Sequence, residues 1–347
     1  MGNFDKKKMV WAIISLVIAA LTIWTITSQS KNFSLEQVRA YLEGGNPFWI
    51  ACALLSMFGF IWFEGLAIVR AAKVLGYDRN IRQGTLYGAA DVYFSSITPS
   101  ATGGQPASAF FMLRDKMPMT AITTVLLINL IMYTLALLSL GLLSLIFRFD
   151  LFLSFSLISK FLIGLGCGIL LALGVCFYFL LRKAELLYRF CNWGIDLLHR
   201  LHLMRHADKR KQKLNQTMTD YENCAKSITG HIPMLIQIYF LNVMQRASQL
   251  GVSFFIFMAL GKSFREALEV AVLQCFVAMG SNSVPIPGAM GVADYIMLDG
   301  FKGLMPLADV ANYEMLCRGM TFYLCIVTSA SIVLVSYFLG KHRRNTK

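Results

Sequence analysis

Six largely apolar runs of spanning length, at about 9–28, 47–69, 118–147, 155–181, 232–260 and 313–340, constrain this chain more than any other feature. A helix needs about 20 apolar residues to cross a hydrocarbon layer of roughly 30 Å. A soluble core has no use for so many segments of that length. Composition agrees: mean hydropathy is +0.59 and charged residues make up 15% of the 347, against about 25% in soluble domains. The expected fold class is therefore all-α, a polytopic membrane protein. The first run follows Lys6-Lys7-Lys8 and contains Trp11 and Trp24. It is too long for the core of a secretory signal and reads as an uncleaved first span.

The formal net charge is +13, yet the basic residues cluster beside hydrophobic ends rather than along one soluble face. That distribution argues against nucleic acid and for the positive-inside rule. Segment 182–231 holds ten Lys or Arg against five Asp or Glu, including Lys209-Arg210-Lys211. This segment and the Lys341-His342-Arg343-Arg344 tail are expected on the cytoplasmic side of a cell membrane, with both termini. Part of 182–231 carries apolar residues at helical spacing and is expected to lie against anionic lipid head groups, a partner-docking helix being the alternative. The eight cysteines, at 52, 167, 176, 191, 224, 275, 317 and 325, show no zinc or CxxC spacing. The five histidines form no ligand set, so no metal, cofactor or disulfide is expected.

Two further apolar stretches, about 84–113 and 266–300, are broken near their middles by Pro and Gly. The basic clusters fall on one side only if each stretch returns to the side it entered from. Eight full spans would have the same parity, but the arm from Gln83 to Thr98 is too short to cross unaided. Two re-entrant hairpins opening to opposite sides are expected.

Placed together, the broken stretches form a repeat. Pro99-Ser100-Ala101-Thr102-Gly103 matches Pro287-Gly288-Ala289-Met290-Gly291 as P-x-A-x-G, and Ser95 matches Ser283. Upstream, Leu75-Gly76 and Arg82 parallel Leu260-Gly261 and Arg265. One membrane domain over 1–347 is expected, with 47–147 and 232–340 as repeats of inverted topology. Paired Pro/Gly-interrupted segments of that kind point to transporters whose site lies near the midplane. Hairpin tips there leave backbone groups that lipid cannot satisfy and a polar cavity can. Helix N-termini following the tips present N–H groups to an anion.

SITPSATGGQP together with VPIPGAMGVAD resembles the lysylphosphatidylglycerol synthase/flippase transmembrane family, whose best-known member is the multiple peptide resistance factor. The resemblance runs from the first span to the last. It implies a membrane domain that moves lipids or lipid-linked groups between leaflets, with an association to antibiotic resistance. The family's second motif commonly reads P-G-G-x-G-x-x-E. Pro287, Gly288, Gly291 and Asp294 match it, with Ala289 for the second Gly and Asp for Glu. The bifunctional members carry a soluble aminoacyl-transfer domain after the membrane part. This sequence ends at Lys347 without one, so translocation is expected rather than lipid lysylation by this chain alone.

Intramembrane charge is costly and is by default a functional hypothesis. Arg246, midway along the fifth run, is a candidate for binding phosphate, the alternative being a structural ion pair. Asp91 and Asp294 flank the tips as partners for Arg246 or Arg318 and as candidate proton carriers. Gln105 is the tip side chain with both donor and acceptor capacity and is the favoured substrate contact. Ser95, Ser96, Thr98, Ser100 and Thr102 can satisfy turn backbone or bind ligand. Pro99, Gly103, Gly104, Pro287, Gly288 and Gly291 shape the tips. Arg114 can meet a head group or serve as an ordinary positive-inside residue. Glu64 and Arg70 sit near the cytoplasmic end of their run, where snorkelling explains them equally well.

The leading expectation is a translocase for an anionic or aminoacylated phospholipid or a polyprenyl-phosphate-linked head group. No GxxxxGK[ST] motif is present, so movement is expected down a gradient or coupled to an ion. The alternatives are a phosphatidylglycerol-modifying transferase or its membrane subunit, and an ion-coupled transporter of small solutes. A second copy of the chain and a separate transferase are the candidate protein partners.

Overall fold

The computed structural model describes residues 44–98, 101–183, 185, 188–189, 192–193, 207–282, 284, 289 and 291–345. Among these residues there is helix and no strand. The expected first span at 9–28 and most of the amphipathic stretch at 184–206 lie outside them, as do Pro99, Ser100, Ser283, Pro287, Gly288 and Met290.

Helix α1 (Pro47–Val74) starts on Asn46, whose side chain accepts from Phe48 N–H, with Pro47 in the first turn. It ends at Leu75 and Gly76, the glycine at φ 83°. Helix α2 (Ile81–Ile97) opens with an Asn80/Gln83 capping box, and α3 (Gly104–Arg114) follows the first Pro/Gly break. Helices α4 (Met119–Phe147), α5 (Phe149–Ser154), α6 (Leu157–Arg182) and α7 (Ala207–Thr229) then lead to the second unit. That unit repeats the devices of the first. Helix α8 (Ile232–Ala259) ends at Leu260 and Gly261, the glycine at φ 73°. Helix α9 (Phe264–Ser281) opens with a Ser263/Glu266 capping box, and α10 (Val292–Phe301) follows the second break. The matched alanines of P-x-A-x-G share a left-handed backbone, φ 53° at Ala101 and 51° at Ala289. Left-handed alanine is uncommon, so its recurrence at the aligned position is independent support for the repeat.

Both broken stretches are hairpins. Arg79 before α2 donates to the Asp115 carbonyl after α3 at 2.8 Å, and Gln83 Nε2 donates to the Asp115 carboxylate at 2.9 Å. Entry and exit of the first hairpin therefore share one end of the bundle. The second opens at the other end, where Arg148 pairs with Glu269 of α9 at 3.0 Å and Ser156 N–H donates to Asp299 of α10 at 2.7 Å. An arm of 11 residues in α3 or 10 in α10 is roughly 15 Å long and reaches only to mid-membrane.

The spanning helices follow composition with one exception. Helices α1, α4, α6 and residues Asn312–Ser336 are long and apolar enough to cross a membrane. The last of these runs through α11 (Leu307–Arg318), a six-residue π-wound segment at Gly319–Leu324, and α12 (Cys325–Asn345). Helix α8 has the length, 28 residues, but Gln237, Asn242, Gln245, Arg246 and Gln249 dilute its hydropathy. It nevertheless makes the largest helix–helix interface of the fold, with α1. The two run antiparallel: Asn46 N–H donates to Ala259 carbonyl at 3.0 Å and Ser56 Oγ to Ser248 carbonyl at 2.8 Å.

Two large apolar cores result, with a smaller cluster of Tyr93, Ile97, Phe322 and Ile326 beside them. One gathers Ile68, Tyr87, Met112, Ile122 and Ile238 around the first hairpin. The other gathers Phe257, Leu273, Phe276, Ile296 and Tyr313 around the second. Along α1 the first core takes residues 67–72 and the second 53–61; along α8 they take 238 and 252–259. Between the cores lie the polar side chains of Glu64 on α1 and of Asn242, Gln245, Arg246 and Gln249 on α8. Outward-facing Leu55, Trp62, Leu142, Phe161 and Phe240 are exposed, as lipid contact requires. Helix α7 docks at the basic end through Tyr221, Ala225 and Ile228, and burial pushes the Tyr221 phenol up to about 12.

Candidate functional site

A cavity of about 670 Å³ lies between the two apolar cores. Ala101, Thr102 and Gln105 reach it from the first hairpin tip, and Asn282, Ala289 and Ala293 from the second. The two breaks in hydrophobicity, 188 residues apart between their matched alanines (289 − 101), thus face one space. One wall is apolar, formed by Leu170, Leu173 and Phe177 of α6, the least buried of the four segments apolar enough to cross a membrane.

Arg246 lines the cavity and is 6% exposed. Its Nε donates to Gln245 Oε1 at 2.9 Å and its Nη1 to Gln249 Oε1 at 2.6 Å. The guanidinium lies 4.1 Å from the Tyr133 ring centroid and 5.1 Å from that of Phe60, at cation–π distance. Its hydrogen-bond partners are neutral amides, so no carboxylate holds the guanidinium directly.

Beside it stands Glu64, for which the sequence leaves interfacial snorkelling and a functional role equally open; it is 3% exposed. Helix α1 continues to Val74, which puts Glu64 about 15 Å from its C-terminal end, too deep to snorkel. Glu64 accepts from Asn129 Nδ2 and from Gln245 Nε2, both at 2.6 Å, and Asn242 Nδ2 donates to Asn129 Oδ1 at 3.0 Å. The signal available in the sequence was a polar stripe at helical spacing on α8: Asn242, Gln245, Gln249 and Ser253.

At the first tip the expected residues divide by role. Asp91, Ser95 and Gln105 line the cavity. Ser95 Oγ lies 3.4 Å from Asp91 Oδ1 and 3.3 Å from Ala101 carbonyl. Thr98 serves the turn itself: its hydroxyl donates to Phe94 carbonyl at 2.6 Å and accepts from Gly103 N–H at 2.8 Å. Gly104 is where α3 meets α2, and a Cβ there would stand 2.0 Å from Asp91 Oδ1 and 2.7 Å from Asp91 carbonyl. Arg114 lies at the C-terminal end of α3, at the hairpin mouth rather than the tip.

At the second tip, Gly291 adopts φ 79° and starts α10. Asp294 caps that helix, accepting from Gly291 N–H at 2.9 Å, and pairs with Arg318. Arg318 also pairs with Glu314 at 3.2 Å, and both Arg318 and Glu314 line the cavity. Of the two arginines weighed as its partner, Asp294 takes Arg318. At the outer mouth of this hairpin, burial alone would raise the Asp299 carboxyl. The Lys302 ammonium, the Ser156 N–H and the hydroxyls of Ser159 and Ser156 outweigh it and hold Asp299 at about 2.

Residues 12–329 match the family model of the lysylphosphatidylglycerol synthase TM region. The chain belongs to that family. No curated protein and no solved structure matches it. Membership makes it a membrane protein of the lysylphosphatidylglycerol synthase TM family, with membrane lipid as the implied substrate. The match spans both hairpins and every helix that lines the cavity through residue 329. Among the described residues no group of His, Cys, Asp and Glu is arranged to hold a metal ion. What the lysylphosphatidylglycerol synthase TM domain offers here is a polar chamber with an apolar side wall.

Proposed function

We propose that this chain translocates a lipid with an anionic head group between the leaflets of a cell membrane, with both its termini on the cytoplasmic side. The observation that carries the reading is Arg246: a deeply buried guanidinium, facing a cavity bounded by both hairpin tips, whose hydrogen-bond partners are uncharged amides. Planar donors of this kind suit phosphate. Gln105 and Ser95 contact the head group, Gly103, Gly104 and Gly291 shape the tips that enclose it, and Arg114 receives it at the mouth. The acyl chains remain along the apolar face of α6. The repeats 47–147 and 232–340 rock against one another about the α1–α8 interface, exposing the cavity first to one side and then to the other. An anionic phospholipid, its aminoacylated form or a polyprenyl-phosphate-linked group all share the phosphate chemistry.

The test is leaflet-resolved transport of fluorescent phosphatidylglycerol in liposomes containing the purified protein, with mass spectrometry of the same lipids. Exchange faster than in empty liposomes, with unchanged lipid masses, is expected. No acceleration overturns the reading, and new aminoacyl-lipid turns it toward a transferase.

A further inference from the structure

Glycines bring two carboxyls together at the cavity. A Cβ on Gly65 of α1 would stand 2.2 Å from Gly84 carbonyl, and one on Gly88 of α2 would stand 2.7 Å from Ile61 carbonyl. The two helices therefore touch backbone to backbone, the small-residue contact of membrane helices. Glu64 adjoins Gly65 and Asp91 lies about one turn beyond Gly88, which sets their carboxyls side by side on the cavity wall. Gly104 closes over Asp91 from α3. Arg318 pairs with Asp294 and with Glu314, and among the described residues neither Glu64 nor Asp91 enters an ion pair.

Two carboxyls held side by side, with Glu64 almost fully buried, repel one another when both are ionised, so the pair shares one proton. Gln245 joins the pair to Arg246, donating to Glu64 Oε2 at 2.6 Å while accepting from Arg246 Nε at 2.9 Å. We propose that Glu64 and Asp91 form a proton-binding site linked to Arg246, so that the cavity takes up one proton with each anionic head group. This rests on the anion-binding reading of Arg246.

Charge balance is the reason. Empty, the singly protonated pair and Arg246 sum to zero. An anion alone would leave the group at one negative charge within the membrane, which is costly. An anion with a second proton on the pair restores zero, and linkage makes each ligand favour the other. The other titratable groups of the wall are Arg246 from α8, Tyr133 from α4, Glu314, Cys317 and Arg318 from α11, and Cys325 from α12. Helix α3 contributes Gln105 and α9 Gln274, both uncharged.

Calorimetric titration of the full chain with dihexanoylphosphatidylglycerol, in buffers of different ionisation enthalpy, reads the proton directly. Uptake of about one proton per lipid is expected, with affinity falling about tenfold per pH unit above the midpoint. The double isostere Glu64→Gln/Asp91→Asn should bind with no proton uptake and no pH dependence, its fold checked by thermal midpoint. Lipid binding without uptake in the unaltered protein overturns the proton site and leaves the translocase standing. Uptake that survives the double isostere but disappears in Glu314→Gln overturns the assignment to this pair. Sulfate, a lipid-free anion that does not titrate, separates the two readings. Binding as tight as that of the lipid overturns the lipid translocase and leaves the proton linkage intact.

Discussion

Replacing Arg246 with Met separates a binding group from a structural one. Were Arg246 half of a buried ion pair, removal would strand its partner and cost about 3–5 kcal/mol of stability. Its actual hydrogen-bond partners are the Gln245 and Gln249 amide oxygens at 2.9 and 2.6 Å, beside a cavity with room for water. Losing two such donors costs about 1 kcal/mol each. Removing a buried charge returns several kcal/mol of desolvation, and the Glu64–Asp91 pair can take a second proton in its place, so net stability should fall by about 1 kcal/mol or less. Binding should behave oppositely. A hydrogen bond to a charged group is worth about 1.5–3 kcal/mol, which is about 10–100-fold in Kd for a phosphodiester. Thermal unfolding in detergent and calorimetric binding of dihexanoylphosphatidylglycerol measure the two sides on one preparation. A variant that unfolds several kcal/mol early yet binds as before would refute the assignment.

Gly104→Val should push α3 off α2, because both the Asp91 carboxyl and its backbone carbonyl obstruct the new Cβ. A loss of about 1–3 kcal/mol together with transport is expected, read by thermal unfolding and liposome exchange. Tyr133→Phe removes a 2.6 Å hydrogen bond from α4 to Asn282 at the second tip, so amide exchange at 278–282 should quicken while that of α1 stays unchanged. Asp299→Asn should cost about 2 kcal/mol near neutral pH, since its carboxyl falls to about 2 on folding. A depressed folded-state value stabilises above the unfolded value of about 4 and loses that contribution as pH falls toward 2. Thermal midpoints of the two proteins should converge over that range.

The hairpins were legible because Pro and Gly interrupt long apolar runs and basic residues mark one side. The repeat was legible in P-x-A-x-G, and the shared left-handed alanines give it a backbone reason. The polar network was not legible. Glu64 meets Asn129 and Gln245 across 65 and 181 residues of chain, contacts that no local pattern encodes. Its depth was misjudged because α1 outlasts its apolar run, ending at Val74 rather than near residue 69. Helix α8 carries the opposite lesson: the amides that weaken its hydropathy are those that hold Arg246 and Glu64. Asp294 was expected from the sequence to flank the second tip, but its commitment to a helix cap and to Arg318 needed coordinates.

The most direct measurement is a density map of the full chain in nanodiscs of phosphatidylglycerol. A head-group phosphate within hydrogen-bonding distance of Arg246, between the two hairpin tips and with acyl chains along Leu170, Leu173 and Phe177, is the expected result. Ordered lipid confined to the outer surface, with the cavity holding only water at saturating lipid, would contradict the account.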